Sequence, residues 1–451
     1  PMVTSLADLN AAGREIDARS PDLFDQHLAA GRADDVAVLI YTSGTTGPPK
    51  GAMLTHTNVT WMAAAVARAN PLLREDAVLS FLPLCHIFER LFTVFIHIAH
   101  AYTVHFVEKA DTVTDNMSEV SPTIGYAVPR IWEKYYSAVK IRMADATWFK
   151  RTVFNAALKI GTRWAGRRMA LKAVSPWLRA GYLLAYFAVF RKLKERLGFE
   201  RMRVAYSGAA PISGEVLQFF QSIGMNLIEG YGQTEGTGVT TLSRTDAVKF
   251  GSVGTALEGT ELRIAEDGEI LIKSPGVFKG YFDNPESTAD TLKEGWLHTG
   301  DVGSLDDDGY LTITDRKKDI IITAGGKNIT PQYIENKLKA SVYINDAVVI
   351  GDRRKFLSAL VAIDEDNVVK YAQDHKLQFA TYRDLTANEG IHALIKAEIE
   401  GVNATLARVE QIRKFRLIPK KLYEEDGEVT PTMKVKRKYI HQAFEDLIEE
   451  M

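Results

Sequence analysis

Residues 41–51 read Tyr41-Thr-Ser-Gly-Thr-Thr-Gly-Pro-Pro-Lys50-Gly51, directly after the apolar run Asp34–Tyr41 (DDVAVLIY). That run has the composition of a buried strand. The segment after it gathers four hydroxyl side chains (Thr42, Ser43, Thr45, Thr46), three glycines (Gly44, Gly47, Gly51) and Lys50. Glycine lets successive backbone N–H groups converge on an oxyanion, hydroxyls add donors, and lysine adds a point charge. The stretch therefore reads as a phosphate-binding loop. It is not a Walker A sequence, which needs four residues between its first glycine and Gly-Lys-Ser/Thr. Here two residues separate Gly44 from Gly47, and Pro48-Pro49 precede Lys50.

Outward from the loop the pattern is α/β. Asn58–Arg68 reads as a helix, and Thr103–Val107, Thr123–Val128, Met202–Tyr206 and Asn226–Glu229 as short strands with helical patterns between them. This alternation predicts doubly wound, mostly parallel sheets. From about Gly251 the texture changes to hairpins: Glu261–Ala265 and Glu269–Lys273 flank Asp267-Gly268, and Asp308-Gly309 precedes Tyr310–Thr314. After Asp315 come helices (Pro331–Leu338, Ile391–Ala407) and strands (Val342–Ile350, Ser358–Ile363). We expect a large domain over 1–314, β-rich from 251, and a C-terminal α+β domain over 315–451.

The composition agrees with a multidomain globular chain: 451 residues exceed one ordinary core, and 46% are apolar. A single cysteine, Cys85, forms no internal bridge and suits a reducing compartment such as the cytoplasm. No charged-then-apolar leader comes after Pro1, so no signal peptide is expected. The net charge of −2 conceals an asymmetry. Between Arg130 and Arg203 there are 18 Lys/Arg against four acids, so this belt carries +14 and the remainder −16. Such a field attracts anionic surfaces. The belt includes Trp148, Trp164, Trp177 and the apolar run Ala180–Phe190, whose 11 residues fall short of the ~20 a spanning helix needs. Two readings stand: a solvated helical face, or peripheral contact with an anionic membrane, such as the inner face of the cell membrane. No nucleic-acid-binding motif accompanies the charge.

The loop resembles the signature of the acyl-adenylate-forming superfamily, which includes acyl-CoA synthetases, luciferases and peptide-synthetase adenylation domains. Further signatures of that family recur in order: Ser207-Gly-Ala-Ala-Pro211, Tyr231-Gly-Gln-Thr-Glu-Gly236, Thr299-Gly-Asp301, Asp315-Arg-Lys-Lys-Asp319 and Pro431-Thr-Met-Lys434. The resemblance implies a small β-barrel-like subdomain and a mobile C-terminal domain. It places Thr42, Ser43, Gly44, Thr45, Thr46, Gly47 and Lys50 on the ATP phosphates, and Gly208, Ala209 and Ala210 beside adenine. Tyr231 would stack on adenine with Gly232 next to it. Thr234 would contact the α-phosphate, and Glu235, with Thr42, would hold Mg²⁺. Asp301 and Arg316 would bind ribose, Lys318 would be the hinge pivot, and Lys434 the catalytic lysine. Gly325 and Gly326 would pass the pantetheine arm of CoA, and His86 would lie beside the acyl carboxylate.

Pro122–Lys134 (PTIGYAVPRIWEK), Thr323–Asn328 and Thr430–Lys438 resemble long-chain fatty acyl-CoA synthetases in particular. The implied function is a long-chain fatty acid:CoA ligase using ATP, Mg²⁺ and CoA, without nucleic acid. Two alternatives remain: a fatty acyl-AMP ligase that loads a carrier protein, and a non-catalytic acyl-nucleotide- or membrane-binding fragment. The last arises because only 40 residues precede Tyr41, where family members carry a long segment that completes the large domain's sheets. Without its motif, His86 would read as a core histidine. His97, His100 and His105 read as structural, and Cys85 as a small buried apolar residue with no base beside it. Phe88, Phe92 and Phe95 are candidates for an acyl tunnel or plain core.

Overall fold

In the computed structural model, which describes residues 4–42, 49–430 and 434–451, the phosphate-loop sequence bridges a hairpin. Val36–Thr42 pairs antiparallel with Lys50–Thr55, setting Thr42 opposite Lys50 and Tyr41 opposite Gly51. A Cβ at Gly51 would sit 3.2 Å from the exposed Tyr41 ring, which would have to shift by a few tenths of an ångström to admit it. The second strand departs from the sequence reading, because Lys50–Thr55 is a short apolar run that periodicity cannot assign. Helix His56–Ala69 comes next, started by a capping box between Thr55 and Asn58. Gly280–Tyr281 adds a third strand, pairing with Met53 and Ala52.

Ile124–Ala127, Val204–Ser207 and Leu227–Tyr231 form the parallel centre of the next sheet. The first two of these strands are buried throughout, as strands covered on both faces must be. Thr241–Leu242 and Thr255–Ala256 extend it antiparallel. The reversal after Tyr231 uses left-handed backbone at Thr237 (φ 56°) and Gly238 (φ 101°). Ala77–Ser80 and Thr103–Phe106 make a second parallel pair, and Val113–Val120, Pro129–Ala144 and Gly214–Ser222 are connecting helices. Trp132, Tyr126, Tyr206, Phe92, Phe199 and Phe220 fill the core between them.

The β-rich stretch forms a five-stranded antiparallel sheet that includes Glu269–Lys273, Trp296–Leu305 and Leu311–Arg316. Beyond it, Leu357–Ile363 is buried at every residue, antiparallel to Ile344–Ile350 and parallel to Ile412–Leu417. Helices Pro331–Leu338 and Glu389–Asn403 cover one face of this sheet, and Arg437–Ala443 and Glu445–Glu449 the other.

The basic belt is helical: Pro129–Ala144, Trp148–Met169 and Pro176–Ala185, the last continuing through a π-helical turn, Tyr186–Phe190, into Arg191–Arg196. Trp164 stacks on Tyr182 with centroids 3.9 Å apart. Helix Trp148–Met169 approaches Gly214–Ser222 so closely that a Cβ at Gly161 would lie 2.5 Å from the Ser222 carbonyl. No helix among the described residues is long and apolar enough to cross a membrane.

Candidate active site

Two adjoining cavities share Ala209, Gly230, Gly232, Gln233, Arg316 and Lys434. The larger, ≈ 1040 Å³, lies between the carboxyl ends of the central strands and helices Pro331–Leu338 and Glu389–Asn403; Tyr231 and Asp301 line it. The smaller, ≈ 370 Å³, is lined by the polar Thr42, His86, Thr234 and Glu235 and by the apolar Phe88, Phe92, Val239 and Leu242. Sites outside the carboxyl ends of parallel strands are where open α/β sheets bind ligands.

On the larger side, the Tyr231 hydroxyl donates to Asp301 Oδ2 at 2.8 Å, and Arg316 Nε lies 3.4 Å from Asp301 Oδ1. Burial and the neighbouring carboxylate hold the Tyr231 phenol well above its ordinary range. Asp301 and Arg316 face each other across the ladder joining Trp296–Leu305 to Leu311–Arg316, so the sheet register sets this pair. Strand Val204–Ser207 runs into Gly208 and then Ala209, which holds a strained left-handed conformation (φ 67°). Ser207 Oγ is buried and, among the described residues, unpartnered.

On the smaller side, Glu235 sits in the 3-10 turn Thr234–Gly236 and accepts from the Tyr281 hydroxyl at 2.7 Å. Lys50 Nζ lies 5.2 Å from the centroid of the same Tyr281 ring. Thr42, Lys50, Tyr281 and Glu235 thus form one polar wall. Opposite them, a Cβ at Gly232 would meet the Gly238 carbonyl oxygen at 2.3 Å. His86 caps helix Ile87–Arg90, its Nδ1 accepting from Phe88 N at 3.2 Å. Burial lowers its pKa, so the ring is neutral at pH 7 with Nε2 carrying the proton as a donor.

Lys434 arrives on a strap. Thr430 N donates to Lys434 O at 2.8 Å, Val429 bridges to Val435, and Lys436 N donates to Glu428 O. Arg437 anchors the strap through Glu335 Oε1 at 2.5 Å and Val349 O at 2.8 Å. Burial and then Arg316 bring the Lys434 ammonium down to about 8. At the junction of the two large parts of the chain, Asp315 accepts from Arg316 N and from Gln332 N at the start of helix Pro331–Leu338. Burial pushes its carboxyl up to about 6.

Of the expected site residues, Ala209, Gly232, Arg316 and Lys434 border both cavities. Ala210, Tyr231 and Asp301 border the larger cavity alone. Thr42, Gly208, Thr234, Glu235 and His86 border the smaller one alone. Lys50 stands beside them, over Tyr281. Ser43, Gly44, Thr45, Thr46 and Gly47 lie outside the described residues. Lys318 is exposed next to Arg316 and borders neither cavity, nor do Gly325 and Gly326. These glycines form the tip of the hairpin Ile321–Ile322/Asn328–Ile329, with Gly326 at φ 74°. Phe88 and Phe92 border the smaller cavity, whereas Phe95 packs into the core. Cys85 is exposed rather than buried, because its loop precedes helix Ile87–Arg90 at the rim of that cavity.

Three residues escape a reading of the sequence. Tyr281 reaches Glu235 through the pairing of Gly280–Tyr281 with Met53 and Ala52. Glu229, on the same strand as Tyr231, borders the larger cavity, and burial pushes its carboxyl up to about 8. Glu89 is fully buried, accepting from Ser80 at 2.6 Å, Thr93 at 2.5 Å, Tyr126 at 2.8 Å and Leu82 N at 3.0 Å. It fixes the helix that carries His86. Only Glu229 has a local signal, an acid inside an otherwise apolar strand.

The model of the AMP-binding enzyme family matches residues 3–282, and that of the AMP-binding enzyme C-terminal domain matches residues 318–451. The chain is 38% identical over 450 residues to the long-chain-fatty-acid–CoA ligase FadD15 of Mycobacterium bovis, covering 99% of this chain and 73% of that one. It is 40% identical over 457 residues to the putative fatty-acid–CoA ligase fadD11 of Mycobacterium tuberculosis, covering 100% and 79%. Among solved structures, the adenylation domain of a carboxylate reductase from Mycobacterium chelonae superposes with a TM-score of 0.68 at 23% identity, over 93% of this chain and 60% of that one. An anthranilate CoA ligase in complex with anthranoyl-AMP gives 0.67 at 19%, over 93% and 68%. At these identities the structural likeness speaks for the fold.

Proposed function

The chain belongs to the AMP-binding enzyme family, and on that premise we propose that it is a long-chain fatty acid:CoA ligase. It joins ATP and a fatty acid into acyl-AMP and pyrophosphate, then transfers the acyl group to CoA with release of AMP. One observation carries this reading: Lys434 and Arg316 stand where a cavity large enough for a nucleotide meets a second cavity lined in part by Phe88, Phe92, Val239 and Leu242. A carboxylate on an apolar tail and an α-phosphate could meet there.

The chemistry follows from charge. A carboxylate approaching a polyphosphate is repelled, so the site must offset that repulsion and align the reacting groups. Lys434 between them does both. Opposite unit charges about 4 Å apart gain about 4 kcal/mol at an effective dielectric of 20, which is about three powers of ten in rate. His86 Nε2–H orients the carboxylate, and Thr234 and Lys50 donate to the phosphates. Asp301 and Arg316 receive the ribose, and Tyr231 with Gly208 to Ala210 receives the base. Mg²⁺ would be held by Glu235 with Thr42 beside it, and would neutralise part of the triphosphate charge. The residues fit: Tyr281 donates to one carboxylate oxygen of Glu235, the other accepts no hydrogen bond among the described residues, and Mg²⁺ takes most of its ligands from phosphate and water.

For the second step we place Gly325-Gly326 along the pantetheine arm of CoA after rotation about Lys318. Their exposed hairpin tip supports this, since it borders no adenylate cavity in the present arrangement. The deciding assay is fatty acid-dependent pyrophosphate release, followed by AMP release when CoA is added. Pyrophosphate release without CoA turnover would instead assign a carrier-loading acyl-AMP ligase. No release with any chain length would leave an acyl-nucleotide-binding protein.

A further inference from the structure

The basic belt is narrower in space than in sequence. Arg130 pairs with Asp346, Lys140 with Glu215 and Arg203 with Asp76, so part of the charge at each end of the belt is met by acids elsewhere in the fold. Between Thr147 and Lys194 the chain holds 11 Lys/Arg and no acid. Among the described residues none of these 11 forms an ion pair. Arg168 lies over the Trp164 ring, Arg167 donates to Ala173 O, and buried Lys194 donates to Gly224 O. Lys159, Arg163, Arg179, Arg191 and Lys192 project into solvent.

Apolar side chains project with them. Trp177 is 88% exposed, Leu184 74% and Phe187 66%. Spaced by seven and then three residues along Pro176–Ala185 and its π-helical continuation, they form one outward stripe. The π-turn lets Phe190 face inward beside Tyr182, centroids 6.1 Å apart, while Phe187 stays outside. A tryptophan, a leucine and a phenylalanine left in water along one helix mark an interaction surface. The flanking cations set the sign of its partner.

The geometry points to this face, the stripe Trp177–Leu184–Phe187 with Arg179, Arg191 and Lys192, as the docking surface for an anionic lipid bilayer. The partner goes with the proposed lipid substrate and so rests on the ligase reading. A nucleic acid would satisfy the cations and leave the stripe in water. A bilayer satisfies both, with the ring and leucine in the acyl boundary and the cations among headgroups. Since the apolar run is too short to span, the helix lies in the interface plane.

The test floats the full chain with vesicles of phosphatidylcholine alone and with roughly 30% phosphatidylglycerol added. We expect binding to the anionic vesicles only, with a blue shift of tryptophan emission that Trp177→Phe diminishes. Replacing Arg179, Arg191 and Lys192 by Gln should weaken binding on the order of a hundredfold. Trp177→Ser/Leu184→Ser/Phe187→Ser should abolish the fraction that survives high salt. Both variants should keep the ligase activity of the parent on detergent-dispersed fatty acid. Flotation needs no turnover, so an inactive ligase leaves this inference intact, and failed flotation leaves the ligase reading intact. Equal binding to neutral and anionic vesicles, or charge-variant binding like the parent's, overturns it. So does a dimer that dissociates in the serine variant without change in flotation, which gives the face to a second copy. Retention of single-stranded RNA without vesicle binding also overturns it.

Discussion

Tyr231 donates its hydroxyl to Asp301 Oδ2 at 2.8 Å while Arg316 Nε stands 3.4 Å from Oδ1 of the same carboxylate. A neutral donor and a cation thus orient the Asp301 carboxylate that we propose receives the ribose. Tyr231→Phe keeps a ring for the nucleobase and removes one hydrogen bond to a charged group, a change of about 1.5–3 kcal/mol where it is buried. Part of that loss is regained when ribose hydroxyls bind. KM for ATP should rise roughly three- to tenfold with kcat nearly constant, whereas Asp301→Ala should raise it further. Steady-state pyrophosphate release measures both, and an unchanged KM in Asp301→Ala would remove Asp301 from ribose binding.

In the proposed reaction Lys434 must be charged to bridge two anions, and burial with Arg316 alongside brings it down to about 8. As pH rises through that value the ammonium is lost, so kcat/KM for adenylation should fall above about pH 8. Acyl-AMP supplied directly should be converted to acyl-CoA without that descending limb. Lys434→Arg, which stays charged, should flatten the limb, and Lys434→Ala should lower adenylation by about three powers of ten. Stability runs the other way. The unfolded lysine, near 10.5, holds its proton longer than the folded one, so stability rises with pH between about 8 and 10.5. Lys434→Met should therefore melt roughly 1–3 °C above the parent at pH 7. Equal melting of the two would mean that the charge carries no folding cost.

Two glycines of the expected site make opposite demands. A Cβ at Gly232 would stand 2.3 Å from the Gly238 carbonyl oxygen and 2.9 Å from Val239 Cα, both backbone atoms that cannot swing aside. A Cβ at Gly326 meets nothing within 4 Å, and only its φ of 74° resists substitution. Gly232→Ala should destabilise by about 1–3 kcal/mol and abolish adenylation, because the displaced loop carries Thr234 and Glu235. Gly326→Ala should cost about 1 kcal/mol and leave pyrophosphate release intact. Its effect should fall on CoA turnover. Denaturant melts together with the two half-reactions decide this, and loss of adenylation in Gly326→Ala would contradict the assignment.

Of the residues that border the two cavities, Thr42, residues 231–235 and Arg316 stand in stretches the sequence singles out, because glycine, hydroxyl and charge spacing are local properties. Long-range closure cannot be read that way. Tyr281 meets Glu235 across 46 residues, through a strand pairing that no pattern near either residue announces. The strand Lys50–Thr55 is hidden for a related reason: it is short, apolar and defined by partners on both sides. The charge belt is visible as a sum, yet its ends pair internally with Asp346 and Asp76, which only folding brings near. Burial of Glu229 and Glu89 likewise depends on the groups that pack over them. The central parallel strands are legible because burial on both faces leaves nearly unbroken apolar runs.

Lys318 offers a direct test of the hinge. Among the described residues, Lys317 N donates to Gly300 O and Asp319 N to Arg316 O, while no backbone bond uses Lys318 N. Lys318→Pro therefore removes no donor and acts by fixing φ. Adenylation should stay within about threefold of the parent and thioester formation from acyl-AMP should slow at least roughly tenfold, if rotation at this residue connects the two steps. Pyrophosphate exchange and thioester formation falling together would exclude it.

Contacts between the two large parts of the chain hold the present arrangement. Arg130 Nη2 donates to Asn345 Oδ1 at 2.9 Å, and its Nη1 lies 3.6 Å from Asp346 Oδ2. Lys370 reaches Asp145 at 3.1 Å across the same junction. Asp346 is buried, and burial raises its pKa against the pull of Arg130, so the guanidinium is its main compensation. Arg130→Ala leaves that carboxylate unpaired. With Arg130 about a third exposed, solvent reduces the loss to about 1–2 kcal/mol, or roughly tenfold in the population of this arrangement. Adenylation, which in the proposed reaction uses Lys434 on its strap, should slow by that factor. Conversion of supplied acyl-AMP should be unchanged or faster. Arg130→Lys, which keeps the charge and loses the forked geometry, should fall between. If both half-reactions slow equally in Arg130→Ala, the contact serves stability alone and does not select between domain arrangements.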